Sequence, residues 1–307
     1  MGSPVVALPF PVRTGWTLPL PRGMESGGSP PIASRFPDRR AATPLRAQPL
    51  PPMSVTLYHW EPNANSGKPM LTLAEKGVAY ESRYLDLLRF DQHAPAYLAV
   101  NPDGTIPAMV HGSSVLTEST PMMEYIDDAF PGPPLKPSDP AARWRMRWWM
   151  RFFDSYFAPS LSMIGWSIFI GPAARQRPAE ELQAAIDRIP LESRRIAWRK
   201  ALFNEFSAEE LAESKRRVLF ATIALEKHLS RSSWIAGDTY SLGDINGFNL
   251  GYALPLSQPD HCNDVATPHI MEWLRRIYER PAARETWAKG RTQMASRIKV
   301  LERNPGA

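Results

Sequence analysis

The chain has almost no cysteine: Cys262 is the single one among 307 residues. That excludes an intramolecular disulfide and every Cys-x-x-Cys dithiol mechanism. A lone thiol suits a reducing compartment, and a cytoplasmic location is expected. No apolar run reaches the roughly 18–20 residues of a membrane span, so no span is expected. Net charge is also small once the first 52 residues are set aside. The formal net charge is +5, but Arg13, Arg22, Arg35, Arg39, Arg40 and Arg46 face only Glu25 and Asp38 in that segment, which leaves +1 for the rest. Such a tail property is not a basic folded face, and no nucleic-acid partner is expected. No cluster of His, Cys, Asp and Glu has metal-ligand spacing, and no metal is expected.

What remains is ordinary globular material: 43% hydrophobic and 22% charged residues, in a chain long enough for two domains. Residues 1–52 hold 12 of the 32 prolines and no sustained periodicity. Such a segment cannot bury enough apolar surface to offset its ordering entropy, and reads as a disordered Pro/Arg-rich extension. Met53 is a natural start, two residues ahead of the first strand. An over-extended gene start or an idle tail explains the extension better than a targeting role, although its Arg/Ser bias has a vague transit-peptide character.

From Val55 the pattern reads strand, helix (about 66–77), strand (about 80–86), a loop with a short helix, two short strands near Pro107 and Val115, and a helix to about Phe130. This alternation predicts a small α/β domain over 53–133. Pro131-Gly-Pro-Pro134 breaks the helix, and residues 134–307 read as an all-helical domain. There a long helix from Arg143 extends to about Ile164, and another covers 206–229. A third starts at the capping-box signal Ser241-Leu-Gly-Asp244, and helices near 268–279 and 282–297 close the chain. Residues 168–201 read as an insertion made mostly of connection, with one weak helix near 179–186.

Four elements carry chemistry. Ser66 sits where the first strand turns into the first helix, at an N-terminus electropositive from free backbone N–H groups. It suits a bound thiolate, and Asn65 is a second donor; an ordinary N-cap serine is the structural alternative. Ile106-Pro107 follows Gly104. Glu118-Ser119 opens a helix directly after a strand, where N–H groups and the hydroxyl suit a carboxylate and the acid suits an amine. Gln92-His93 lies in the polar loop between. No cysteine lies near the Ser66 turn, so any reactive thiol comes from a ligand.

The order and spacing of these elements resemble the thioredoxin-like, glutathione-binding domain of the glutathione transferases. The resemblance implies glutathione as co-substrate, with the Ser66 hydroxyl on its sulfur. It implies a cis peptide at Ile106-Pro107 that turns the Ile106 backbone toward the tripeptide. Glu118 and Ser119 then hold the γ-glutamyl end, and His93 meets the glycine carboxylate, with Lys68 a further carboxylate partner. It also assigns the Asp244 cap to folding and implies a homodimer.

A narrower resemblance is to the bacterial glutathione-dependent β-etherases, which cleave lignin-type β-aryl ethers. It is carried by Ala64-Asn-Ser-Gly-Lys-Pro69, Glu75-Lys-Gly77, Leu116-Thr-Glu-Ser-Thr120, Ile164-Gly-Trp166 and Ile189-Pro-Leu-Glu-Ser-Arg-Arg-Ile-Ala-Trp198-Arg-Lys200. It spans roughly 53–297 and leans to the branch acting on S-configured ethers. Trp148, Tyr156, Trp166 and Trp198 are the expected walls of an aromatic substrate slot, with core or dimer packing the alternative. Competing readings are a general transferase or dehalogenase acting on other aromatic electrophiles, and a non-catalytic binding module with the same fold.

Overall fold

The structure is a computed structural model and describes residues 54–302. The expected disordered extension lies outside the described residues. Strand β1 (Val55–His59) directs Val55, Leu57 and His59 inward, and the turn after it leads into helix α1 (Ala64–Glu75). Strand β2 (Glu81–Tyr84) pairs with β1 in parallel, so α1 is the crossover that a parallel pair requires. The short helix α2 (Pro95–Leu98) precedes β3 (Ala108–His111) and β4 (Ser114–Leu116). Strand β3 pairs antiparallel with β1, and β4 antiparallel with β3, which gives the sheet order β2-β1-β3-β4. Helix α3 (Ser119–Ala129) and α1 bury Met70, Leu73, Met122 and Ile126 against Leu57 and Met109 of the sheet.

The helical half begins with α4 (Pro140–Phe152), capped by the Asp139 carboxylate on the Ala142 N–H. It continues through a π-turn (Phe153–Phe157), α5 (Ala158–Gly165), a second π-turn (Trp166–Ile170) and α6 (Gly171–Ala174). This run of 35 residues outlasts the expected end near Ile164, and by length and composition it is apolar enough to cross a membrane. Polar residues interrupt every apolar run within it, so no unbroken apolar stretch reaches span length although its mean hydropathy is high. In the fold it serves as a core helix, with Met146, Met150, Phe153, Phe157 and Leu161 buried in the helical core.

The 168–201 insertion is also more ordered than its sequence pattern indicates. It contains α7 (Ala179–Asp187) and α8 (Glu192–Leu202). Its Ala, Leu, Arg and Lys residues are good helix formers, and Leu182/Ile186 and Trp198/Leu202 recur at i, i+4, so each helix buries one face. Helices α9 (Ala208–Leu229) and α10 (Leu242–Gly251) complete the core, each entered through a capping box. At α10 the buried Asp244 carboxylate accepts from Ile235 N–H, Ser241 N–H, Ser241 Oγ and Trp273 Nε1, all at 2.9–3.0 Å. After α11 (Leu254–Ser257) and α12 (Pro268–Tyr278), the helix expected over 282–297 divides into α13 (Pro281–Trp287) and α14 (Gln293–Ser296).

Two of the contacts that fix the helical half against α1 set the crossing. Arg280 forks onto the Glu75 carboxylate at 2.5 and 2.7 Å. Gly67 permits the close crossing of α1 and α10, because a Cβ there would lie 2.0 Å from Asn249 Oδ1 and 2.7 Å from the Pro62 carbonyl oxygen. That crossing brings Ser66 and Asn249 to one cleft.

Candidate active site

A cleft of about 230 Å³ opens where the two halves meet. The α/β half contributes Trp60, the turn Asn63–Ser66, the pair Gln92–His93 and the segment Asp103–Ile106; the helical half contributes α5, the second π-turn, α8, α10 and the C-terminal residues Met294 and Arg297.

Ser66 is the third residue of α1 and only 4% exposed, yet it lines this cleft. Its oxygen accepts the Trp60 N–H at 3.1 Å. One lone pair is thereby used, and the hydroxyl proton is left to donate elsewhere. Among the described residues, the N–H groups of Ala64, Asn65 and Ser66 have no acceptor, and Asn63, at the cap position, makes no side-chain cap. The result is a small electropositive concavity of three amides and a hydroxyl, which is the requirement for an anionic sulfur. Asn65 lies at its rim and also lines the cleft.

The opposite wall is polar and unpaired. Both amide atoms of Gln92 and Nδ1 of His93 are buried without a partner among the described residues. Burial, and after it the Arg188 charge, pushes the His93 pKa down to about 4, so its ring is neutral at pH 7. Ile106 lines the cleft beside them, its peptide bond to Pro107 is cis, and its N–H and C=O have no partner among the described residues. An extended peptide has backbone partners available there.

Glu118 and Ser119 open α3, outside the residues that line the cleft. Glu118 has φ 62° and ψ 104°, a left-handed-side conformation that costs a non-glycine residue of order 1–3 kcal/mol. Close by, Asn246 Nδ2 donates to Thr120 Oγ1 at 2.8 Å and to Asp154 Oδ1 at 3.2 Å. Lys68 departs from expectation. It is 1% exposed, does not line the cleft, and donates Nζ to Asp154 Oδ1 at 2.7 Å. Its position two residues after Ser66 turns the side chain to the other side of α1, where Asp154 and Glu118 hold up a pKa that burial lowers. A carboxylate beside His93 is not its partner in this geometry.

The aromatic residues divide into two groups. Trp166 and Trp198 line the cleft with ring centroids 4.8 Å apart, and Trp198 lies 5.1 Å from Phe90, which stacks on His93 at 6.2 Å. The insertion is thus packed directly on the wall that carries His93. Trp148 and Tyr156 do not line the cleft. Trp148 is 47% exposed and stacks on Phe152 at 5.5 Å, and Phe152 stacks on Tyr156 at 5.2 Å. The i, i+4 series 149/153/157 takes the buried face of the helix, which leaves the 148/152/156 series on the outside.

The sequence reading passed over Trp60, Asn63, Asn249, Tyr252, Phe169 and Arg297, all of which line the cleft. Trp60 and Asn63 belong to the turn that carries Ser66, whereas Asn249, Tyr252, Phe169 and Arg297 belong to no local motif. Those four reach the site only through tertiary packing, and the paired signal available was the tight glycine at 67 opposite α10.

The description "Glutathione S-transferase, N-terminal domain" matches residues 57–134, and "Glutathione S-transferase, C-terminal domain" matches 157–281. Protein LigF of Sphingobium sp. (strain NBRC 103272 / SYK-6) is 37% identical over 249 residues, 78% of this chain and 96% of that protein. Glutathione S-transferase F9 of Arabidopsis thaliana is 28% identical over 74% of this chain and 93% of its own length. The crystal structure of the β-etherase LigF from Sphingobium sp. strain SYK-6 superposes with a TM-score of 0.74, covering 78% of this chain and all of that one.

Proposed function

Since this chain belongs to the glutathione S-transferase family, we propose that it is a glutathione-dependent β-etherase acting on lignin-type aryl ether dimers. The observation that carries this reading is a single one: the Ser66 hydroxyl and the free N–H groups at the start of α1 share a cleft with the Trp166–Trp198 aromatic wall. The likeness to LigF supports the same reaction.

In the proposed chemistry the glutathione thiolate attacks the ether carbon with inversion. A C–S bond forms, the C–O bond breaks, and its electron pair leaves on the aryl oxygen as a phenolate. The thiol proton goes to solvent, and solvent protonates the phenolate. Ser66 and the three amides hold the sulfur, Gln92, His93 and the Ile106 backbone seat the glycine end, and Glu118 with Ser119 meets the γ-glutamyl end.

Lowering the thiol pKa does not carry the rate by itself. At pH 7 a thiol of pKa ~8.5 is about 3% ionised, and a two-unit depression raises that roughly 25-fold. The same shift lowers intrinsic nucleophilicity about 6- to 10-fold, for a net gain of about 3-fold. Orientation, with up to ~7–11 kcal/mol available, supplies most of the acceleration. The aromatic wall is therefore as important as the serine.

A homodimer belongs to the same proposal. The outer stripe of Trp144, Trp148, Phe152 and Tyr156, continued by Phe220 and Ile223 of α9, is the apolar surface that supports it. Glutathione offered with aryl ether ketones and, separately, with chlorinated aromatics tests the substrate class. Phenol release from the ethers is expected. Turnover of the chlorides alone would replace the etherase with a dehalogenase.

A further inference from the structure

The leaving phenolate carries the charge that the sulfur gives up, and the sequence reading identified no group to receive it. Two cations line the cleft among the described residues, Arg194 and Arg297. Arg194 is exposed to water. Arg297 is half-buried, and its guanidinium lies 3.6 Å from the Phe169 ring centroid. Its Nη1 is buried and has no hydrogen-bond partner, and no carboxylate pairs with it among the described residues. A guanidinium partly out of water without a counter-ion is costly and calls for an anion. Stacking on Phe169 fixes the head group, and Trp166 on the same turn supplies the neighbouring aromatic surface.

We propose that Arg297 is a catalytic residue of this ether cleavage, donating Nη1–H to the aryl oxygen as the C–O bond breaks. This rests on the etherase reading above. The electron pair of the broken bond goes to the aryl oxygen, the guanidinium stays protonated throughout, and the phenol takes its proton from solvent after release. Neutral donors on the same walls, the Tyr252 hydroxyl among them, also strengthen as charge develops, but less than a cation does. A fixed cation gains strength as the charge develops, which is what accelerates a step.

The test is a series of ether ketones differing only in the substituent on the leaving phenol, run with the wild type, Arg297→Ala, Arg297→Gln and Arg297→Lys. With the wild type, the rate should depend weakly on phenol acidity. In Arg297→Ala and Arg297→Gln the dependence should steepen. Ethers of the least acidic phenols should slow about 10- to 100-fold, and those of nitrophenols only a few-fold. Arg297→Lys should fall between, and added guanidinium ion at millimolar concentration should restore part of the Arg297→Ala rate. Glutathione affinity by calorimetry should not change. An equal loss across the whole series, or weaker glutathione binding with an unchanged slope, would overturn the assignment and leave the etherase reading standing. Absence of phenol release by the wild type would remove both.

Discussion

The Trp60 N–H donates to the Ser66 hydroxyl oxygen at 3.1 Å, so the side chain proposed to face the sulfur is itself held by the backbone of the preceding turn. Replacing Ser66 with Ala removes one donor to the thiolate and strands a buried amide. Ser66→Ala should keep measurable turnover, reduced roughly 10- to 150-fold, because the three helix N–H groups remain. The acidic limb of its pH–rate profile should move upward toward the free-thiol value. Denaturant unfolding should also show a loss of about 1–2 kcal/mol from the unpaired Trp60 N–H. Complete loss of turnover with glutathione still bound would make the hydroxyl indispensable.

At the other end of the tripeptide, Glu118→Ala and Ser119→Ala should each weaken glutathione binding by about 1–3 kcal/mol. Isothermal calorimetry reads this directly. Lys68→Met should not follow them, since Lys68 is paired with Asp154 and turned away from the cleft.

The same pair predicts an asymmetry in stability. Asp154→Ala leaves a buried ammonium without its partner and should destabilise by about 1–3 kcal/mol, less than for a fully buried pair because Asp154 is 34% exposed. Lys68→Met removes the charge together with its desolvation penalty and should cost less. Urea titrations of the two variants distinguish these outcomes.

Acid should destabilise the fold through its histidines. Burial lowers the pKa of His59, His93 and His228, with His93 at about 4. In the unfolded chain each titrates near 6.5. As the pH falls below about 6.5, the unfolded state binds protons that the folded state refuses, so stability decreases, for His93 down to about pH 4. The urea midpoint at pH 5 should lie below that at pH 7.5, and His93→Gln should narrow the difference. Glutathione binding at pH 5 should take up a proton if its carboxylate sits beside His93, visible as a buffer-dependent binding enthalpy.

The outer and inner aromatic residues should separate by function. Trp198→Ala should lower kcat/KM at least as much as Ser66→Ala, because it removes the surface that orients the substrate. Trp148→Ala should leave kcat/KM within a few-fold of wild type. It should instead shift the monomer–dimer equilibrium measured by sedimentation. Equal losses of kcat/KM in both would mean that the slot extends beyond the cleft described above.

These contrasts show what a sequence of this kind yields. Val55–His59, the Ser66 turn and the cap at Ser241–Asp244 were legible because strand alternation, turn chemistry and capping are local. The pair Trp166 and Trp198 was placed at the cleft from a resemblance that includes the insertion. Trp148 and Tyr156 were misplaced because helical spacing shows which residues share a face but not which face is inward. Lys68 was misread for the same reason, since its Asp154 partner lies 86 positions away. The insertion helices were undervalued because their apolar positions match Phe90 and Trp60, which lie far earlier in the chain.

One measurement tests the central claim most directly. The protein is incubated with glutathione and a racemic β-aryl ether ketone, and the phenol, the glutathione conjugate and the residual ether are quantified on a chiral column. The account predicts one conjugate and one phenol per glutathione consumed, inversion at the ether carbon, and arrest near half conversion with one enantiomer left intact, the S form being consumed. Glutathione bound in the cleft, with no phenol released from either enantiomer, would contradict it.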